Sequence, residues 1–248
     1  MNAALVLTIG LAGIGPEGSS TTARELLQAM RDRYDGKWYR SLTFVQENTQ
    51  TRPDGTVDHS TWREWLAMPG RLRIEFVPSD SGAGMLFTAD SHYVFRADSM
   101  VMVRPFVHPL LVLGFDVYFH PVERTVALLE RHGFDLSVIH EATWAGRPVY
   151  VVGARAGDVH TRQFWIDRER LVFVRMLEPA PGDSTRTSEV RFNKYAPLAG
   201  GWIAPEVEFL LNGERRFLEE YRDVRTDVAV AADLFVANAW KSARRSSR

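Results

Sequence analysis

Residues 69–76 read Pro69-Gly70-Arg71-Leu72-Arg73-Ile74-Glu75-Phe76. A Pro-Gly turn signal leads into strict alternation, with Leu72, Ile74 and Phe76 on one side and Arg71, Arg73 and Glu75 on the other. Side chains on a strand alternate faces with a period of two. The octet therefore predicts an antiparallel strand with one buried face and one wet face.

The same pattern recurs outward. Val207, Phe209 and Leu211 alternate with Glu206 and Glu208 and end on Asn212-Gly213, the strongest short hairpin signal. Turn punctuation repeats at Pro53-Asp54-Gly55, Ala89-Asp90-Ser91, Ala97-Asp98-Ser99, Ala145-Gly146, Asp167-Arg168 and Pro181-Gly182-Asp183. The segments between these turns give about eleven strands of a large antiparallel meander. No repeat or linker divides the chain, so residues 21–240 read as a single domain.

Helix signals are few. Thr22-x-x-Glu25 is a capping box, followed by Leu26, Leu27, Met30 and Tyr34 on one face, with Gly36 as a stop. Pro121 suits a first helical turn, Val122, Thr125, Val126 and Leu129 follow at helical spacing, and Gly133 closes that segment. A short helix fits Ala231–Asn238. Between Phe106 and Phe119, ten of fourteen residues are Phe, Val, Leu or Tyr, and Asp116 carries the one formal charge. This run, bracketed by His108-Pro109 and His120-Pro121, reads as a buried helix, an interfacial segment or a lid.

Composition narrows the function. The 248 residues carry 30 Lys+Arg against 31 Asp+Glu, a net charge of −1, which gives no field to attract nucleic acid. Lys241, Arg244, Arg245 and Arg248 put four positive charges into the last eight residues, leaving −5 for the rest, and residues 241–248 read as a basic disordered tail. With no cysteine there is no disulfide, thiolate metal site, thiol nucleophile or lipid attached to an N-terminal Cys. The apolar run Ala3–Ile14 has signal-peptide length but lacks a positive leader, so residues 1–20 read as a signal peptide or a disordered N-terminus, with cleavage expected between about Gly15 and Ala23. The mature chain is expected to be exported and soluble.

Chemistry-bearing motifs are sparse. Seven histidines lack ligand spacing, so no metal or cofactor is expected. Neither a nucleophile elbow nor a phosphate loop is present, and Gly82-x-Gly84 reads as a loop. Carboxylate pairs such as Asp167/Glu169 and Glu219/Glu220 read as solvated surface, and Ser137 and His140 as residues on opposite faces of a strand. No catalytic residue is assigned. What remains is aromatic: 14 Phe, 7 Trp and 7 Tyr, with Trp38-Tyr39, Trp62 with Trp65, and Phe164-Trp165 making both faces of strands apolar. Two explanations stay open, an overpacked core or an interior apolar cavity whose natural guest is an acyl chain.

The order of these pieces is also familiar. An amphipathic helix precedes a strand bearing Gln46, a Trp-rich strand and Met68-Pro69-Gly70-Arg71-Leu72-Arg73-Ile74. Ala89-Asp90-Ser91-His92-Tyr93-Val94-Phe95, Phe164-Trp165-Ile166-Asp167-Arg168-Glu169, Gly200-Gly201-Trp202-Ile203-Ala204-Pro205, Tyr221-Arg222-Asp223-Val224 and Asp233-Leu234-Phe235 follow. The series resembles the outer-membrane lipoprotein-sorting and carrier superfamily (LolA/LolB-like) of bacterial periplasmic proteins. The resemblance implies a half-open antiparallel β-barrel closed by the N-terminal helix and a mid-chain helical lid. It also implies an apolar cavity for lipid or lipoprotein acyl chains, a membrane receptor or transporter as partner, and a periplasmic monomer without catalytic activity. Leu42, Phe44, Leu72, Ile74 and Phe76 are expected to line the cavity, and Phe106, Leu110, Leu111, Leu113 and Phe115 to form the lid. The family's functional arginine is left open among Arg40, Arg52 and Arg63. A sensor or interaction domain on the same scaffold is the main alternative, and an esterase of apolar substrates a further one.

Overall fold

A computed structural model describes residues 21–246; the expected signal segment 1–20 and the last two residues of the basic tail lie outside them. Thr22 caps helix α1 (Ala23–Tyr34) through a reciprocal capping box with Glu25, which satisfies two of the backbone donors that a helix start leaves free. Its buried face is Ala23, Leu26, Leu27, Met30 and Tyr34, the stripe set by the 3.6-residue period.

Six strands then run as a meander: β1 (Ser41–Thr51), β2 (Val57–Ala67), β3 (Arg71–Phe76), β4 (Gly84–Phe87), β5 (Ser91–Arg96) and β6 (Ser99–Pro105). The apolar segment that follows becomes helix α2 (Pro109–Gly114), a 3-10 turn (Asp116–Tyr118) and helix α3 (Val122–Arg131). A second run supplies β7 (Ile139–Trp144), β8 (Arg147–Val152), β9 (Gln163–Asp167), β10 (Val172–Ala180) and β11 (Asp183–Asn193). The small ribbon β12 (Ala196–Leu198) and β13 (Gly201–Ile203) follows, and then β14 (Glu206–Leu211) and β15 (Glu214–Thr226).

Thirteen of these strands form one antiparallel sheet in the order β6-β5-β4-β3-β2-β1-β15-β14-β11-β10-β9-β8-β7. The two meanders are joined at the middle by β1 pairing with β15. The sheet does not close on itself, which makes it a half-open barrel. The connection between its two edge strands, residues 106–138, carries α2 and α3, and α3 packs against α1. Asn212 and Gly213, with φ of 52° and 78°, make the β14–β15 hairpin turn that their sequence predicts. The strand count exceeds the eleven read from the sequence because three- and four-residue strands such as β4, β12 and β13 are too short to show a period.

Strand β3 corrects the sequence reading. Leu72 and Ile74 are buried on the concave face as expected, but two of the three residues expected on the wet face are also buried, with Arg71 alone exposed. Arg73 is 0% exposed and Glu75 is 2% exposed. The C-terminal segment covers them with 3-10 turns at Ala232–Phe235 and Ala237–Ala239, followed by helix α4 (Trp240–Ser246). The tail read as disordered from residue 241 is thus helical as far as Ser246. Arg73 donates to Glu75 at 2.8 Å and to the carbonyl oxygens of Leu234 and Trp240 at 3.0 and 2.9 Å. Its guanidinium lies 3.8 Å over the Trp240 ring, which stacks on Phe95 at 4.1 Å. Gly84 permits this approach, since a Cβ there would stand 2.8 Å from the indole.

A second cover of the same kind lies on the other half of the sheet. Arg175 sits between Trp144 and Trp165, 4.0 and 4.5 Å from their rings, and donates to buried Glu189 at 2.6 Å. This explains much of the two-faced aromaticity. Phe164 points into the core against Phe134, whereas Trp165 stacks on an arginine outside it. Trp65 likewise joins the C-terminal cluster while Trp62 faces inward.

Candidate functional site

A cavity of about 150 Å³ lies between the concave face of the sheet and α2. Phe44 and Gln46 of β1, Trp62, Glu64 and Leu66 of β2, Leu72 and Ile74 of β3, and Met85 and Phe87 of β4 form one wall. Phe192 of β11, Val207 and Phe209 of β14, and Glu219 and Tyr221 of β15 form the other, and His108, Leu110, Leu111 and Phe115 close the cavity from above. The wall is continuous because inward residues at every second position of adjacent antiparallel strands fall side by side, with Phe44 opposite Glu64, Gln46 opposite Trp62 and Tyr221, and Leu72 opposite Phe87.

Of the residues expected to line it, Phe44, Leu72 and Ile74 do so, as do Leu110, Leu111 and Phe115 of the expected lid. The other four do not. Leu42 shares the face of Phe44 but lies deeper, 0% exposed, in the main core. Phe76 is at the rim, its ring centre 5.1 Å from that of Trp62. Leu113 is on the opposite side of the short helix α2 and is fully buried in the core. Phe106 precedes α2 and sits among three histidines, its ring centre 6.0, 5.8 and 6.5 Å from those of His92, His108 and His132. Arg40, Arg52 and Arg63 are all absent from the lining; Arg52 pairs with Asp58 at 2.5 Å and Arg63 is exposed.

Sequence reasoning missed the polar floor. Glu64 is 5% exposed, and among the described residues no hydrogen-bond donor or cation partners its carboxyl. Burial, reinforced by the charge of Glu219, pushes its carboxyl well above the usual range. Glu219, read as solvated surface, lines the cavity, and burial raises it to about 7 against the pull of a hydrogen bond from Tyr221, whose hydroxyl donates at 2.9 Å. Tyr221 stacks on Phe44 with centroids 4.1 Å apart, and Gln46, 1% exposed, donates to buried Asn48 at 2.7 Å. The signal was present in the sequence: Glu64 stands between Trp62 and Leu66, and Glu219 between Phe217 and Tyr221, each an acid at an inward position of an otherwise apolar face.

The other carboxylates read as surface divide. Asp167 is 1% exposed and accepts from Arg147 at 2.5 Å, while Glu169 is exposed and shares the same arginine. Ser137 lies in a turn rather than on a strand, and its hydroxyl donates to Asp135 at 2.6 Å. Among the described residues no group of three acidic or histidine side chains converges as a metal site would require, and no helix is long and apolar enough to cross a membrane.

One tether holds the roof. Asp116, 3% exposed, accepts a hydrogen bond from the Gly70 amide at 2.8 Å, so the Pro69-Gly70 turn that begins β3 also fixes the segment following α2. Burial raises the Asp116 carboxyl to about 7 against the opposing effects of that bond and of Arg124.

Compared by sequence, this chain matches no family model and no curated protein. Its fold does match solved structures. An outer membrane lipoprotein-sorting protein domain from Vibrio parahaemolyticus superimposes with a TM-score of 0.60 at 14% identity, covering 88% of this chain and 97% of that one. A DUF1329 family protein from Desulfovibrio piger gives 0.58 at 15% identity over 88% and 97%. A LolA superfamily protein from Nitrosomonas europaea gives 0.53 at 11% identity over 88% and 98%. This chain therefore has the fold of the LolA-like lipoprotein-sorting proteins.

Proposed function

We propose that this protein is an exported, periplasmic carrier that takes an acyl chain of a lipid or lipoprotein into the cavity beneath α2 and releases it without chemistry. The observation that carries this reading is the cavity itself, an apolar chamber on the concave face of a half-open barrel, roofed by a short helix. The shared fold with a lipoprotein-sorting domain adds to it. Each methylene withdrawn from water contributes about 0.8 kcal/mol, so ten give roughly 8 kcal/mol before the costs of association.

The chamber is of a size that holds a benzene-like guest when dry and apolar, so a long chain enters only as α2 moves away from the sheet. Leu110, Leu111 and Phe115 are the side chains that would leave the cavity with it, and the Asp116–Gly70 tether sets how far the segment travels. Release requires the same opening of α2 or a partner offering a better site.

The test is displacement of a fluorescent fatty acid, together with native mass spectrometry of protein from its host. Leu111→Ala and Phe115→Ala are expected to weaken probe binding severalfold, while Leu42→Ala, in the core below the cavity, lowers the urea midpoint instead. A wild-type protein that neither binds the probe nor retains a lipid overturns the reading.

A further inference from the structure

Among the described residues, five acids are buried: Glu64, Glu75, Asp116, Asp167 and Glu189. Glu75, Asp167 and Glu189 each have an arginine, and Asp116 has the Gly70 amide. Glu64 has neither. It faces the cavity from β2 while Glu219 faces it from β15, the two strands that flank β1. A carboxylate withdrawn from water is costly unless paired, and each of the other four buried acids is given an arginine or a backbone amide.

We propose that Glu64 and Glu219 receive a protonated amine carried on an apolar chain, the cation taking the place that arginine holds beside Glu75, Asp167 and Glu189. This rests on the reading of the cavity as a site for an apolar chain and specifies the polar end of its guest. The remaining polar and titratable groups of the lining fit that assignment. His108 is held neutral near neutral pH, since burial and its neighbours His92 and His132 bring its imidazole down to about 4, so it does not compete as the cation. Tyr221 already donates to one Glu219 oxygen, and the uncharged Gln46 side chain also hydrogen-bonds Glu219. The linings from β3, β4, β11 and β14 are wholly apolar. Two carboxyls are too few for a calcium or magnesium ion, which takes six or more oxygen ligands, but they suit an ammonium with three donors. Entry of one ammonium displaces one proton from the pair of acids, so the net charge of the cavity is unchanged.

Octylammonium, octanol and octanoate test this, being matched in length and differing in the terminal group. Their binding to the wild-type chain and to Glu64→Gln/Glu219→Gln at pH 7 would be followed by calorimetry in buffers of different ionisation enthalpy. Octylammonium is expected to bind the wild type roughly tenfold more tightly than octanol, the scale of a charge-assisted hydrogen bond, and to release protons to the buffer. The double variant is expected to lose both the preference and the proton release. Equal affinity of the wild type for octylammonium and octanol, or a preference that survives in the double variant, overturns the amine site and leaves the chain-binding reading standing. Failure of all three probes to bind overturns both. The wild-type comparison decides even where the double variant does not fold.

Discussion

The two faces of the sheet bury acids in opposite ways. On the convex face of β3, Glu75 is locked to Arg73, whose other donors cap the carbonyls of the C-terminal segment and whose plane lies on Trp240. On the concave face one strand away, Glu64 is nearly as buried, and among the described residues no donor or cation partners its carboxyl. The convex arrangement satisfies every group from within the chain, so it is architecture. The concave one leaves a cost that the fold does not offset, and such a cost is tolerated where a site must stay open to something else.

Removing the convex pair is the largest perturbation. Arg73→Ala leaves Glu75 buried without a counter-charge and frees two carbonyls of the covering segment, so a loss of about 3–5 kcal/mol is expected, read as a fall in the urea midpoint. Arg73→Met/Glu75→Leu should recover much of that loss, because an apolar pair of similar volume avoids the desolvation that the ion pair has to repay. A single variant as stable as wild type would remove the distinction between the faces.

The roof offers a sharper contrast within one helix. Leu113 is fully buried in the core, whereas Leu111 lines the cavity. Leu113→Ala is expected to cost about 2–5 kcal/mol, as for a tightly packed leucine. Leu111→Ala, which enlarges a space already present, falls at or below the low end of that range. Equal losses in the two urea midpoints would make α2 plain core.

Much of this layout was legible in the residues and some was not. The capping box at Thr22, the Asn212-Gly213 hairpin and the inward residues Phe44, Leu72 and Ile74 follow from local rules, because their partners lie within a turn or a strand period. The burial of Arg73 and Glu75 was hidden, since alternation reports that two faces differ and says nothing of a cover arriving from more than 150 residues later. Leu113 and Leu111 could not be separated in a run where nearly every residue is apolar. Glu219 was missed for the opposite reason: beside Glu220 it reads as a charged surface pair, and only the period-two alignment with Phe217 and Tyr221 marks it as inward.

The concave acids should also be dispensable to the fold. Glu64→Leu replaces an unpartnered buried carboxyl with an apolar side chain of similar size, and a gain of about 1–3 kcal/mol at pH 7 is expected, seen as a higher urea midpoint. A loss instead would mean that Glu64 has a structural partner.

The smallest effect per measurement is the dependence of that gain on pH, and it separates ionisation from packing. Glu64 and Glu219 hold their protons in the folded chain to pH values above the ordinary 4.5 of a glutamate, Glu219 to about 7 and Glu64 well above its usual range. The stability they confer is therefore fully present below pH 4.5 and is lost as pH rises through their folded values. The histidines act the other way. Burial holds His108 and His120 at about 4 and also lowers His92 and His132, so the unfolded chain takes up protons first and stability falls as pH drops below 6.5. Asp116, raised to about 7, adds to the glutamate trend. A wild-type profile alone mixes all three, but the histidines and Asp116 are common to Glu64→Gln/Glu219→Gln and cancel in the difference. The advantage of that variant over wild type is thus expected to be smallest near pH 4.5 and to grow toward pH 7 and beyond. Its slope is at most about 1.4 kcal/mol per pH unit for Glu64 and less for the partly exposed Glu219. Urea midpoints of both proteins at pH 4.5, 6, 7 and 8, followed by tryptophan fluorescence, measure it. A difference that stays constant across the series would mean that the two carboxyls are as well solvated as ordinary surface acids, and the contrast between the two faces would then rest on packing alone.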